Sequence, residues 1–176
     1  MTIHPLSDLY IDQAIKLYLS AFPPEERRPV KQWIQLNQAN TSFHILVIKH
    51  ECAFAGILTY WKFNDFIYIE HFATVSSLRG QGIGQSALHT FIKGAEGLPI
   101  VLEVELPHTP LAKRRIGFYE RVGLSVVQRP YDQPPYPGQK EYFPLLIMST
   151  DASYTDNHFK QIVSTIHREV YQVKAK

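Results

Sequence analysis

The sequence predicts an α/β fold with a mixed sheet, in which an antiparallel meander of three strands is followed by two parallel βα units. Three apolar runs rich in β-branched and aromatic residues, 43–49, 53–63 and 66–75, are separated by hairpin-sized breaks, and this predicts the meander. A glycine-rich loop then joins the third run to a segment whose apolar residues recur at helical spacing. An amphipathic segment near the C-terminus predicts one extra helix.

Before the meander, the pattern predicts a short strand and two helices. The strand covers residues 2–6, and Ser7 is the expected N-cap of a helix that runs to Phe22. The apolar stripe of this helix comprises Ile11, Ala14, Ile15, Tyr18 and Leu19. A pair of prolines ends it, and a second helix over residues 30–38 follows.

Four charged residues, from Glu25 to Arg28, lie between prolines and leave two alternatives open. They form either a solvated loop or a substrate-gating loop, since functional groups are often carried on loops held by a rigid scaffold. In the second case Arg28 is the candidate substrate-binding residue of the loop.

The segments after the glycine-rich loop continue the alternation of helices and strands. They predict, in order, a helix over 82–93, a buried strand over 100–106, a helix over 111–122 closed by Gly123, a short strand over 124–128, an extended proline-rich loop over 131–142, a strand over 143–148 and an amphipathic helix over 157–173. Pro144 marks the last strand as an edge strand or a bulged one. Thr155 or Asp156 is the expected cap of the final helix, which packs on its own domain or forms a homodimer contact.

Length and composition suit one domain, since 176 residues with 45% hydrophobic content can form a sizeable core. We expect residues 1–150 to form that domain and residues 151–176 to pack on it. The formal net charge of +2 is too small for the broad positive field of non-specific nucleic-acid binding, so no nucleic-acid partner is expected. Cys52 is the only cysteine, which excludes an internal disulfide and predicts a small buried apolar residue.

Several other classes of protein and site are not predicted. The N-terminus lacks the basic and apolar segments of a signal peptide, and nowhere do 18 apolar residues follow one another, so we expect a soluble cytoplasmic protein with no membrane partner. The eight histidines are scattered without a close-spaced ligand pair, so no metal site is expected. Ser86 lacks the second glycine of a G-x-S-x-G nucleophile motif.

The loop RGQGIG, from Arg79 to Gly84, carries the clearest functional signal. Its three glycines let backbone N–H groups converge, and the helix that follows adds unpaired N–H groups and its positive dipole end, which suits a phosphate or pyrophosphate. Gly82, Gly84 and Ala87 also satisfy the G-x-G-x-x-A dinucleotide fingerprint, with Glu103 near the place of a ribose-binding acid. The antiparallel meander counts against this interpretation, because that fingerprint opens a parallel βαβ unit.

Two motifs and the order of elements together resemble the GNAT family of N-acetyltransferases. The first motif is R-x-x-G-x-G at Arg79, Gly82 and Gly84. The second is RRIGFYERVGL at 114–124, which resembles the family's tyrosine-bearing helix, although Leu124 stands where the family usually has Phe. The resemblance covers about residues 3–148 and implies a GNAT-like mixed sheet.

The resemblance implies acetyl-CoA as co-substrate, held between the strands at 66–75 and 100–106. Its pyrophosphate would lie on the loop backbone, and its pantetheine arm would pair with strand backbone. The cofactor-binding residues implied are Ala73, Thr74 and Val75 in the strand and Arg79, Gly80, Gln81, Gly82, Ile83, Gly84 and Gln85 in the loop.

Acetyl transfer to an amine needs a neutral amine, an N–H donor for the oxyanion, and a proton for the departing thiolate. By the resemblance, Tyr119 is the candidate acid, with a packing aromatic as the alternative, and the N–H near Thr74 is the oxyanion donor. Glu70 and His71 are the candidate catalytic bases; neighbouring strand residues face opposite ways, so only one enters the cleft unless a bulge intervenes. Glu70 is preferred because some relatives use a glutamate there, although His71 titrates nearer neutral pH.

The acceptor side is predicted to be acidic and aromatic. Glu103 and Glu105 are two residues apart on a strand and share a face, which favours a cationic amine. The alternative is that one of them forms an ion pair with an arginine of the following helix. Tyr131 and Tyr136 either line the acceptor site, as substrate-binding residues, or brace an edge of the sheet.

The sequence therefore predicts an acetyl-CoA-dependent N-acetyltransferase. It would move the acetyl group to a primary amine of a small molecule or peptide by direct attack in a ternary complex. A non-catalytic acyl-CoA-binding module and a dinucleotide-binding oxidoreductase are the alternatives.

Overall fold

A computed structural model of the chain describes residues 1–173 and contains, within them, seven strands and six α-helices. In chain order these are β1 (Thr2–Pro5), α1 (Ile11–Ala21), α2 (Val30–Ala39), β2 (Phe43–His50), β3 (Ala53–Lys62), β4 (Ile67–Thr74), α3 (Ile83–Lys93), β5 (Ile100–Glu105), α4 (Pro110–Arg121), β6 (Ser125–Gln133), β7 (Phe143–Ser149), α5 (Ala152–Asn157) and α6 (Phe159–Thr165). A π-helical turn, Ile166–Val170, follows α6. Backbone contacts divide the chain into two compact units, one spanning residues 1–97 and one beginning at Leu98.

The first unit is built on a four-stranded antiparallel sheet in the order β1-β2-β3-β4. The predicted meander is confirmed, and its strands begin and end within one residue of the predicted bounds. Helix α1 packs on β3 and β4, α2 packs on β2, and α3 packs on β1 and β4. The apolar strand side chains therefore lie between helices and form the core.

The start of α1 differs from the prediction. Ser7 precedes a 3₁₀ turn, Asp8–Tyr10, and its side chain makes no capping hydrogen bond. The buried side chains of the helix are Ala14, Leu17 and Tyr18, whereas Leu19 is 44% exposed. Leu19 lies roughly 140° around the helix from Ala14, which places it outside the buried stripe.

An extra residue in β4 interrupts the regular pairing with β3. Thr59 pairs with His71 and Tyr60 pairs with Ile69, so Glu70 is the extra residue in the register with β3. Such a β-bulge bends and twists the strand locally, and the strict alternation of side chains is lost at that point. Because of this bulge, the side chains of both candidate bases, Glu70 and His71, can lie on one face of the strand.

The turn between β2 and β3 corrects the prediction for Cys52. Glu51 and Cys52 both have positive φ angles, 48° and 66°, as a two-residue hairpin turn requires. Cys52 is exposed rather than buried, because both residues of so short a turn project into solvent.

The second unit contains three antiparallel strands in the order β5-β7-β6. Helix α4 packs on β5, and α5 packs on β6 and β7. The Thr109 hydroxyl caps α4 by accepting from the N–H of Ala112, and Gly123 follows its end with a φ of 95°, as predicted. Among residues 1–173 no helix combines the length and the hydropathy needed to cross a membrane.

Strand β6 is longer than predicted and extends into the expected proline-rich loop. Three residues, Gln128 to Pro130, stand opposite one residue of β7, between the pairs Val127 with Ile147 and Tyr131 with Leu145. Pro130 is accommodated in this irregularity, so the strand resumes and ends only at Gln133.

The edge-strand prediction for the last strand is wrong, because β7 lies between β5 and β6. Pro144 pairs with Asp132 of β6, whereas pairing with β5 begins at Leu145. The missing N–H of the proline therefore falls just outside the two-sided part of the strand.

The C-terminal helical region begins earlier than predicted. The Asp151 carboxylate accepts from the N–H of Tyr154 at 2.9 Å and caps α5, so Thr155 and Asp156 lie inside a helix. Ile162, Ile166 and Val170, which recur at helical spacing within the predicted amphipathic segment, are buried. Residues 174–176 of the predicted C-terminal segment lie outside the described residues.

We predict that Gly56→Ala destabilises the protein by about 1–3 kcal/mol, the range for overpacking. A Cβ at Gly56 would lie 2.5 Å from the carbonyl oxygen of Ala73 and 3.2 Å from the Cα of Thr74, so β3 and β4 would have to separate. Urea denaturation measures the change. Gly117→Ala is the control, since a Cβ there meets only side-chain atoms of α4 at 3.6 Å or more and raises helix propensity; equal stability of the two variants would contradict the prediction.

Candidate active site

The glycine-rich loop leads directly into the N-terminus of α3. Gly80 and Gly82 have φ angles of 78° and 76°, and a Cβ at either position would meet open space. Gly82 is the N-cap residue, no side chain among the described residues caps the helix, and its first turn contains no acidic residue. The first backbone hydrogen bond of the helix is donated by Ser86 to Gly82, so the N–H groups of residues 83–85 have no partner within the helix.

The side chains of the loop have different surroundings. Arg79 is exposed, as a residue that closes on a bound phosphate would be. Gln81 is exposed and donates to the carbonyl of Ser77 at 3.2 Å. Ile83 is 4% exposed and packs with Ile48, Ala55 and Ala87, so only its backbone can contribute to a site.

The C-terminal end of β4 offers one of the three predicted backbone positions. The N–H of Val75 donates to the carbonyl of Ala55 at 2.9 Å and is therefore occupied. Ala73 pairs with Ile57, and its carbonyl is directed towards β3. Because backbone groups alternate along an antiparallel strand, the N–H and C=O of Thr74 point away from β3.

The Glu70 carboxylate is fully enclosed by side chains of the first unit. Its Oε1 accepts from Arg28 Nε at 3.1 Å, and its Oε2 accepts from Trp61 Nε1 at 2.6 Å. Both side chains of the Arg28–Glu70 ion pair have 0% exposure, so the exposed part of Glu70 is its backbone. The solvated-loop alternative for Arg28 is therefore wrong.

His71 is also buried, with 3% exposure. Its Nδ1 lies 3.1 Å from the Thr59 hydroxyl, and its Nε2 lies 3.0 Å from the carbonyl oxygen of Glu26. A carbonyl can only accept, so the ring carries its proton on Nε2 and accepts the Thr59 hydroxyl at Nδ1. Burial lowers the pKa of His71 and keeps the ring neutral, although the Glu70 carboxylate opposes this shift.

Tyr119 lies on the buried side of α4 and is 9% exposed. Its ring meets that of Phe118 edge to face, with 5.3 Å between centroids. Burial raises the pKa of Tyr119 to about 12, with Arg115 and Glu105 exerting opposite, smaller effects. The phenol is therefore protonated at neutral pH and is able to donate a hydrogen bond.

Glu103 is the centre of a hydrogen-bonded cluster in the second unit. The Tyr131 hydroxyl donates to its Oε1, and the Tyr171 hydroxyl donates to its Oε2 at 2.7 Å. Gln133 Nε2 in turn donates to the Tyr171 hydroxyl at 2.6 Å. Burial and the Glu103 charge raise the pKa of Tyr131.

The remaining acceptor-side predictions have mixed outcomes. Glu105 forms an ion pair with Arg115 of α4. This is the predicted alternative in which one of the two glutamates pairs with an arginine of the following helix. Tyr136 is 3% exposed and lies 5.1 Å, centroid to centroid, from the ring of Tyr171. The surroundings of Tyr131 and Tyr136 fit the bracing alternative, because both rings are buried.

Sequence reasoning missed three polar aromatic residues that contact the predicted ones. Tyr18 lies on the predicted apolar stripe of α1, Trp61 lies in the apolar run 53–63, and the sequence indicates no role for Tyr171. Buried tyrosine and tryptophan normally find a hydrogen-bond partner, which is the one signal that could have indicated them. Local periodicity does not indicate their partners, since Tyr18 binds Arg28 10 residues away, Trp61 binds Glu70 9 residues away, and Tyr171 binds Glu103 68 residues away.

The described residues contain no group of three or more His, Cys, Asp or Glu side chains placed to hold a metal ion. The candidate site residues occur in both units. In the first unit they are the backbone of the glycine-rich loop and the buried Glu70 carboxylate. In the second unit they include the partly buried Glu103 carboxylate and the protonated Tyr119 phenol.

The chain belongs to the GNAT family of acetyltransferases, whose family model matches residues 6–124. A GNAT-family protein of Bacteroides thetaiotaomicron is 33% identical, with 99% of this chain and 100% of that chain aligned and a TM-score of 0.92. The predicted α/β fold with a GNAT-like sheet is thereby confirmed. A comparison with curated protein sequences gave no match.

More distant structures share the fold alone. The ribosomal-protein-alanine N-acetyltransferase of Brucella melitensis is 18% identical, with a TM-score of 0.63 over 85% of this chain and 98% of that chain. A point mutant of the spermidine N-acetyltransferase of Vibrio cholerae is 11% identical, with a TM-score of 0.67 over 90% and 99%. These proteins are named for different acceptors, so the fold does not fix the substrate.

We predict that His71 makes the protein less stable below about pH 6.5, its ordinary pKa. The native state keeps the ring neutral while the unfolded chain protonates it, so the unfolded state gains more protons and stability falls as the pH drops towards the lowered native pKa. Urea midpoints at pH 7.5 and 5.5 measure this loss. His71→Gln, which cannot titrate, should lose less stability between the two pH values, and an equal loss in both proteins would contradict the prediction.

Proposed function

We propose that this protein transfers an acetyl group from acetyl-CoA to a primary amine. The observation that carries the proposal is the uncapped N-terminus of α3, which follows two glycines in left-handed conformation. Three N–H groups without a partner inside the helix and a positive helix end fit a pyrophosphate, and the open space at Gly80 and Gly82 lets an anion approach the backbone. Family membership supports the same donor.

In the reaction, acetyl-CoA supplies a thioester whose carbonyl carbon forms a C–N bond with the amine as the C–S bond breaks. We propose that the Thr74 N–H, which points away from β3, stabilises the oxyanion. The Tyr119 hydroxyl gives its proton to the departing thiolate and regains it from water. The amine attacks directly in a ternary complex, and it loses one proton to solvent.

We further propose a cationic acceptor, bound through Glu103. Glu103 and Glu105 are two residues apart on β5 and share a face, and acidic side chains attract a cationic amine. The Tyr131 and Tyr171 hydroxyls hold the Glu103 carboxylate in place by donating to it. The spermidine enzyme among the structural relatives has a cationic substrate by name, which supports an acceptor of this class.

Gln85→Glu should weaken acetyl-CoA binding on the order of tenfold without destabilising the protein. A carboxylate in the first turn of α3 interacts favourably with the helix dipole but repels a bound pyrophosphate. Thermal unfolding with and without acetyl-CoA measures both effects, because a ligand of the native state raises its stability. Gln35→Glu, on the exposed side of α2, is the matched control; unchanged acetyl-CoA affinity in Gln85→Glu would contradict the loop assignment.

Tyr119→Phe should lower kcat on the order of 10²-fold, the usual contribution of general acid catalysis, and leave acetyl-CoA affinity unchanged. The phenyl ring keeps the packing against Phe118 and removes only the proton donor. Thiol release in the presence of a set of primary amines measures turnover. Full activity of the variant would assign Tyr119 to packing, and absence of turnover in the wild type with intact acetyl-CoA binding would favour a non-catalytic acyl-CoA-binding module.

A further inference from the structure

The connection between α1 and α2, residues 22–29, is held by two contacts to the β4 bulge and by one contact to α1. The Arg28 side chain binds the Glu70 carboxylate, and the Arg28 N–H donates to the Tyr18 hydroxyl at 2.9 Å. The Glu26 carbonyl accepts from His71 Nε2 at 3.0 Å. These contacts are here called the loop anchor. They involve Glu70 and His71, the two residues that the sequence predicts as candidate bases.

The geometry of Glu70 suits an anchor better than a base. Each carboxylate oxygen already accepts a hydrogen bond, one from a guanidinium and one from an indole, and the side chain has no exposed surface. Both donors stabilise the ionised form and oppose proton uptake. The Arg28 guanidinium also lies 5.7 Å from the centre of the Trp61 ring, which fixes its position further.

The contacts of His71 also suit an anchor better than a base. Its two nitrogens are engaged by Thr59 and by the backbone of Glu26, and its ring packs edge to face against Tyr18 and Phe22, with centroids 5.1 and 4.6 Å apart. To accept a proton from an amine, Nδ1 would have to exchange the hydrogen bond that it accepts from the Thr59 hydroxyl for one that it donates, and the ring is only 3% exposed to an approaching amine. The proton on Nε2 is held by the Glu26 carbonyl and attaches the connection.

The charged and titratable groups around the anchor come from each element packed on the bulge. They are Tyr18 of α1, Arg27 and Arg28 of the connection, and Glu70 and His71 of β4. Burial raises the pKa of Tyr18, and the Glu70 charge adds to this effect. Tyr18 therefore remains a neutral hydroxyl throughout the neutral range and can hold the Arg28 N–H at every pH used for assay.

We infer that Glu70 and His71 are positioning residues that hold the α1–α2 connection on the β4 bulge, rather than bases that take the proton of the acceptor amine. The inference rests on the proposed acetyl transfer and deepens it. The amine then loses its proton to water before attack. The pH dependence of kcat/KM should follow the pKa of the acceptor itself.

The first test compares two primary amines of different pKa as acceptors for the wild type and for Glu70→Gln. We expect the rise of kcat/KM with pH to move with the acceptor in both proteins, while Glu70→Gln is slower by about tenfold at every pH because the connection is less well held. A rise that stays at one pH for both amines in the wild type, and disappears in Glu70→Gln, would overturn the inference and identify Glu70 as a base.

Tyr18→Phe is the decisive companion variant, because it removes the hydroxyl that binds the Arg28 N–H but keeps the ring that packs against His71 and leaves both candidate bases unsubstituted. We expect it to reproduce the loss in kcat/KM seen for Glu70→Gln. Glu25→Gln removes a carboxylate from the same connection at an exposed position and should behave like the wild type. Wild-type activity in Tyr18→Phe, together with a loss in Glu70→Gln, would contradict a positioning role.

Glu70→Gln leaves the Arg28 charge buried, so that variant is at risk of not folding. The pair Arg28→Gln with Glu70→Gln replaces both charges and keeps two hydrogen-bonding side chains in the same place. We expect the pair to recover part of the activity and to keep the acceptor-dependent pH profile. A folded pair with no pH-dependent activity would overturn the inference.

Hydrogen exchange separates this inference from the proposed function. Peptides that cover residues 22–29 should exchange about five- to tenfold faster in Tyr18→Phe and in the Arg28–Glu70 double variant than in the wild type, with β1 and β2 unchanged. Unchanged exchange would overturn the anchor even in an active enzyme. Faster exchange in a protein without turnover would instead leave the anchor standing and refute the acetyl transfer.

Discussion

The bulge at Glu70 is the constraint on which the arrangement of the first unit depends. A regular β4 would direct Glu70 and His71 to opposite faces, whereas the extra residue lets both contact the side of the sheet covered by α1 and α2. Because Glu70 binds Arg28 and His71 binds Glu26, a one-residue irregularity in a strand fixes a connection more than 40 positions earlier in the chain. The pairing of β4 with β3 therefore determines where the α1–α2 connection lies.

The anion site that we propose in the same unit consists of backbone alone. Two glycines in left-handed conformation turn the chain into α3, and the buried Ile83 ties the first turn of the helix to the core. The helix end is therefore both rigid and uncapped. A site of this kind depends on where the N–H groups point and little on the identity of the loop side chains, which explains why the glycines carry most of the signal in the sequence.

In the second unit, hydroxyl groups define the polar chemistry. Tyr119 is kept protonated by burial, and Tyr131 and Tyr171 donate to Glu103 from β6 and from the segment after α6. The C-terminal segment thereby joins a polar cluster as well as the apolar core.

By itself, the sequence determined the element order, the meander, the glycine loop and the family, because each depends on local spacing: alternation in strands, 3.6-residue periodicity in helices, and glycine where φ is positive. Only the tertiary structure determined which polar residues bind one another. Arg28 and Glu70 meet across 42 residues, Glu103 and Tyr171 across 68, and the bulge at Glu70, the exposure of Cys52 and the interior place of β7 depend on strand pairing. Local spacing indicates which residues are polar and which are buried, but only long-range packing determines which polar groups satisfy one another.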